Sequence, residues 1–264
     1  MSDGALYVYG VVPKASPADL FADVRGVDPS QRVVLVHDGE AAAVASSVRL
    51  DEFGEAAITE NLRDPSWLAE KARAHDHVLA AAVGRTTILP FRFGTIYSDE
   101  EQVRKLLRER SDFSAALRRL EGAIELGVKA FVDLPVLRER LAAAAGDADE
   151  DLVSTGRAYM QRKQLERQLD EDAARFATEC AHESHDLLAN LAKEARTNPL
   201  QQPPETGNAG RMILNGAYLV AVNAQARFGD ALGRLERAHA ADGVRYELTG
   251  PWPPYNFVED EQQS

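Results

Sequence analysis

Cys180 is the only cysteine in 264 residues, so no intrachain disulfide can form and a reducing compartment fits. No run of apolar residues approaches the roughly eighteen needed to span a bilayer as a helix. The chain does not open on a charged segment followed by an apolar one, so no secretory signal is expected. Bases are short as well, 30 against 42 acids, for a net charge of −12. That balance disfavours nucleic acid or an anionic membrane as a main partner, since phosphates would be repelled. A cytoplasmic location follows as the expectation. Nucleophile elbow, P-loop and dinucleotide fingerprints are missing, and Gly10 and Gly94 are isolated turn glycines.

The remaining polar clusters are weak as chemistry. Asp147, Asp149, Glu150 and Asp151 share only their charge with a calcium loop, lacking its spaced ligands and central glycine, and read as a solvated loop. His75 and His77 stand at i,i+2, point to different helix faces, and read as a solvated pair. His182 and His185 at i,i+3, with Cys180 nearby, come closer to a zinc set. That set lacks a fourth group, and Cys180 sits on an apolar stripe as a small hydrophobe would. No catalytic residue, cofactor or metal is therefore expected.

Apolar residues make up 45% of the chain, enough for a globular core of one large or two ordinary domains. Strands are predicted over residues 5–12, 32–37 and 41–48, with Asp38-Gly39 as the hairpin turn. Asp64-Pro65 predicts a helix start, and residues 86–93 a further strand with Pro90 at an edge or bulge. Ser98 is the expected cap of the next helix, with Glu101 reaching back and a break near Ser111. A second half opens with a strand over residues 123–132 and a short helix after Asp133.

From about Asp151 to Arg196 the pattern is helical, with Leu165, Leu169, Ala173, Phe176, Cys180, Leu187, Leu191 and Ala195 tracing one stripe. One helix of that length would reach ~65 Å. A protein of this size has a radius of gyration near ~18 Å. The segment must therefore break, expected near His182–Asp186, or project as an arm. A loop over residues 198–209, a strand over 212–222, a helix over 224–241 and a strand over 244–248 complete the order. The fold class is α+β with two domains, residues 1–122 and 123–264. The second reads as ferredoxin-like, with a helical insertion at about 151–197.

Gly250-Pro251-Trp252-Pro253-Pro254-Tyr255-Asn256-Phe257-Val258 closes the chain with three prolines and three aromatic rings. It reads as a rigid strap pressed on a folded body, with Trp252 and Phe257 buried and Tyr255 partly so. This ending resembles that of the gas vesicle accessory proteins of the GvpL/GvpF family. Leu6–Val12, Leu89–Tyr97 and Glu125–Phe131 resemble the family's opening strand, central strand-and-turn and second-half strand. The resemblance implies an α+β N-terminal domain joined to a modified ferredoxin-like domain with extra helices. It also implies a role in gas vesicle assembly, as an accessory or minor shell-associated protein. The partners it implies are the small hydrophobic shell protein, whose aggregation is limited during nucleation, and other gas vesicle accessory proteins.

For such a partner the helical stripe is the candidate surface, and Leu187 and Leu191 are its candidate contacts. Arg92, between Phe91 and Phe93, reads first as a structural guanidinium that needs a carboxylate, in the Asp99–Glu101 stretch, and second as a binding residue. Lys129 reads the same way. The alternative class is a ferredoxin-like small-molecule-binding protein or enzyme, for which only Arg92, Lys129 and scattered histidines offer polar groups.

Overall fold

In the computed structural model, residues 4–17, 19–110, 112–145, 156–201 and 210–258 are described. The acidic stretch Gly146–Asp151 expected as a loop lies outside them. By backbone packing the chain divides into two units, residues 1–125 with 251–264, and residues 126–250.

The first unit is built on β1 (Gly4–Pro13), β2 (Val34–Asp38) and β3 (Ala41–Arg49). α1 (Leu50–Phe53), α2 (Glu55–Asn61) and α3 (Pro65–Ala80) follow, then two-residue strands β4 (Leu89–Pro90) and β5 (Ile96–Tyr97). α4 (Glu100–Glu109) and α5 (Asp112–Leu120) complete it. The sheet order is β2-β3-β1-β4, with β5 also on β1, and these pairings are antiparallel. The register of β1 on β3 slips between Val8 and Gly10, so Tyr9 is a bulge residue. β1 touches α3 and α5, and its residues from Tyr7 to Val12 are all buried.

The strand expected over residues 86–93 shrinks to Leu89–Pro90. Pro90 has no N–H for the ladder, and the free edge of β1 is divided between β4 near Gly10 and β5 near Leu6. A Cβ on Gly10 would stand 2.4 Å from the Leu89 carbonyl oxygen, so only glycine allows that approach. The intervening loop turns at Gly94, whose φ of 87° suits glycine. Asp64 caps α3 by accepting from Ser66 N at 2.8 Å. At α4 the cap is Asp99 rather than Ser98: its carboxylate accepts from Gln102 N at 2.9 Å. A carboxylate suits the positive helix end better than a hydroxyl. α4 ends at Glu109 and α5 begins at Asp112, and Ser111, near which the sequence predicts a break, lies outside the described residues.

The second unit runs β6 (Ala123–Val132), α6 (Leu134–Ala145), α7 (Gly156–Ala189), β7 (Glu194–Thr197), β8 (Arg211–Ala221), α8 (Gln225–His239) and β9 (Val244–Trp252), with β6 and β9 crossing its boundary. Its sheet order is β7-β8-β6-β9. Helices thus fall between the first and second and between the third and fourth strands, and the first strand pairs with the third and fourth, which is the ferredoxin-like arrangement. β9 reaches Trp252 through Pro251, which an edge strand tolerates because one side of it needs no donor.

Two helical expectations fail. α7 continues through His182–Asp186 to Ala189. The polar residues there find tertiary partners instead of competing for the backbone: Ser184 Oγ lies 2.7 Å from Tyr246 Oη and His185 Nδ1 lies 3.1 Å from Tyr218 Oη. Beyond Ala189 the chain turns and becomes β7, so Leu191 and Ala195 leave the helix.

The closing strap packs within the first unit. Glu125, buried, accepts from Asn256 N at 2.9 Å and from Asn256 Nδ2 at 2.6 Å. Arg119 Nη2 donates to the Phe257 carbonyl oxygen at 2.5 Å. Phe257 is fully buried and Tyr255 half-buried, as expected. Trp252 is not, being 50% exposed, because it sits on the edge strand before the chain turns inward at Pro253.

Candidate partner-binding surface

α7 alternates between two environments along its length. From Ala173 onward it buries Ala173, Ala177, Cys180, Ser184 and Leu188, steps of four, three, four and four that define one packed face. β8 and α8 receive that face. Cys180 lies 3.5 Å from Tyr246 Oη, and burial pushes its thiol upward, away from reactive thiolate character. Burial likewise raises the phenols of Tyr218 and Tyr246. His182 is exposed and His185 lies 3.1 Å from Tyr218 Oη; both line a groove beside that face, while Cys180 is buried against Tyr246. Among the described residues no group of three or more His, Cys, Asp or Glu could hold a metal ion.

Beside the packed face runs a groove of about 340 Å³. Ala174, Ala177, Thr178 and Ala181 of α7 form one wall, and Leu200 with Met212 and Leu214 lie across from them. Small side chains at i, i+3, i+4 and i+7 leave room for a partner's backbone or apolar side chains to come close. Sequence reasoning missed this wall because it weighted large apolar residues; the four-residue spacing was the available signal.

The sequence-derived candidates fall in different places. Leu187, on the outer side of the last turn of α7, is 38% exposed. Leu191 is half-buried in the following turn, with its N–H bonded to the Leu188 carbonyl at 3.0 Å. Arg92 belongs to the first unit and is exposed in the loop between β4 and β5, while Phe91 is fully buried. Lys129 donates to Gln201 Oε1 at 3.0 Å.

His75 departs from the expectation of a solvated pair. It falls on the buried face of α3 with Lys71, Val78 and Leu79, while His77 is exposed. Tyr7 Oη accepts from Gly94 N at 2.9 Å and lies 2.9 Å from His75 Nδ1. The other ring nitrogen, Nε2, lies 2.9 Å from Tyr255 Oη, and the imidazole tautomer sets the direction of both bonds. Burial lowers the imidazole to about 4, and a hydrogen bond to the Phe91 backbone offsets only part of that. A neutral histidine with both nitrogens occupied serves as a fixed link between α3, the Gly94 loop and the strap.

Comparison with known proteins gives this architecture its context. The family model for the gas vesicle synthesis protein GvpL/GvpF matches residues 5–259. The chain belongs to the GvpL/GvpF family. It is 35% identical over 226 residues to gas vesicle protein L of Streptomyces sp. (strain CB03234), covering 85% of this chain and 82% of that one. Gas vesicle protein F of the same strain is 29% identical over 262 residues, covering 96% of this chain and 99% of that one. The crystal structure of GvpF from Anabaena sp. PCC7120 superposes with a TM-score of 0.69 at 21% identity, over 97% of this chain and 96% of that one. GvpF from Microcystis aeruginosa gives 0.67 at 20% identity, over 97% and 99%. These two likenesses carry the fold. The family assignment gives this GvpL/GvpF member a gas vesicle-related role. Among its described residues no helix is long and apolar enough to cross a membrane.

Proposed function

We propose that this chain acts in gas vesicle assembly by binding the small hydrophobic shell protein and limiting its aggregation during nucleation, with no reaction of its own. The observation that carries the reading is the groove beside α7, with small residues on one wall and Leu200, Met212 and Leu214 opposite. A helix laid into such a groove buries its apolar face at the expense of self-association. Leu187 at the end of α7, Leu191 in the following turn and Arg92 on the first unit are further contacts outside the groove. The net charge of −12 keeps the loaded complex in solution.

Co-expression with the shell protein tests this. Leu187→Asp, Leu191→Asp and Ala174→Arg, each checked for an unchanged melting temperature, are expected to lose most of the co-purifying shell protein, and Arg92→Glu to reduce it. Full retention in all four folded variants would refute the reading.

A further inference from the structure

The half of α7 that precedes Ala173 carries a different signal. Of the side chains described from Tyr159 to Asp172 none is buried, and Tyr159 is 66% exposed, Met160 65% and Leu165 42%. Arg162, Leu165, Leu169, Asp172 and Phe176 follow one another at steps of three, four, three and four, the spacing of a coiled-coil seam. Charge is segregated along the same helix. Arg162, Lys163 and Arg167 stand against Glu166 in the first part, and Asp170, Glu171, Asp172, Glu179, Glu183 and Asp186 against Arg175 in the second.

We propose that this arm is a self-association surface, on which two copies of the chain pair antiparallel through α7. A two-fold axis requires the same patch on both copies to be self-complementary, and this seam satisfies that condition in one register. Leu165 of each copy faces Leu169 of the other, and Arg162 faces Asp172. Lys163 and Glu171 share the register along the flank. Asp172 already accepts from Arg175 at 2.7 Å, and a carboxylate has capacity for a second donor. The parallel in-register alternative sets Arg162 against Arg162 and Asp172 against Asp172, which disfavours it. In a chain of net charge −12, two copies repel over most of their surface. The basic stretch of α7 meeting the acidic stretch of its twin is where that repulsion reverses. The proposal is independent of the shell-protein reading, since its residues lie outside the groove.

Sedimentation equilibrium of the full chain over roughly a hundredfold concentration range tests it. A seam this short lies at the small end of stable interfaces. The weight-average mass should therefore rise with concentration from the 28.9 kDa monomer toward twice that value. Arg162→Asp alone and Asp172→Arg alone are each expected to hold the mass at the monomer. The double variant Arg162→Asp/Asp172→Arg should restore the dimer, which a folding defect could not do. Leu165→Asp should abolish it with an unchanged far-ultraviolet circular dichroism spectrum. Monomer mass at every concentration, a dimer indifferent to the single charge changes, or failure of the charge swap to rescue in a folded double variant would each overturn the proposal.

Discussion

Replacing Tyr7 by Phe removes one oxygen from the middle of the first unit and leaves the ring in place. That ring is fully buried and meets Tyr9, Phe53, His75 and Phe93. The hydroxyl holds the Gly94 N–H and His75 Nδ1, both at 2.9 Å. Without it the amide and the ring nitrogen lose their partner, and each unsatisfied buried group costs about 1–3 kcal/mol. Together the loss is about 3 kcal/mol. With a urea m-value of about 2 kcal/mol/M, the midpoint should fall by ~1.5 M with an unchanged slope. Trp67 lies in the first unit against Phe53 and Phe93, so its fluorescence in a Trp252→Phe background follows that unit. A loss below about 0.5 kcal/mol, the range of ordinary surface substitutions, would refute the claim that this hydroxyl joins the Gly94 loop to α3.

The same site sets a pH dependence. His75 titrates near 4 in the fold and near 6.5 when unfolded, so between those values the unfolded chain binds the extra proton. Stability is complete above about pH 6.5 and declines as pH falls toward 4, by about 3 kcal/mol from this group. The difference between wild-type and His75→Gln stability curves should isolate that slope from the carboxylates; parallel curves would contradict it. In the strap, Phe257→Ala should cost about 3–5 kcal/mol because the ring is fully buried. Trp252→Ala, at 50% exposure, should cost about 1 kcal/mol or less. Thermal melts of the two variants give the order, and a larger loss at Trp252 would reverse the account of the strap.

Local signals carried much of the architecture. Asp38-Gly39 set the β2–β3 hairpin, Asp64-Pro65 set the start of α3, and the alternation in residues 123–132 set β6 to the residue. In each case the deciding physics lies within a few residues: a turn that needs glycine, a cap, a period of two. The family likeness was legible for a related reason, since the Gly250–Val258 strap is rigid and aromatic in any context.

What failed to show in the sequence depended on partners distant along the chain. Ser184 and His185 predict a helix break until Tyr246 and Tyr218 satisfy them. His75 predicts solvation until Tyr7 and Tyr255 close over it. Trp252 predicts burial until the sheet places it on an edge. The groove wall of Ala174, Ala177, Thr178 and Ala181 is four small residues on paper, and becomes a surface only once Met212 and Leu214 stand opposite. The sequence by itself determined where elements begin, which faces are apolar and which family the chain resembles, because propensity and periodicity act locally. Tertiary structure alone decided which polar groups are satisfied and which apolar residues stay exposed. Burial and hydrogen bonding belong to pairs of residues that only folding brings together.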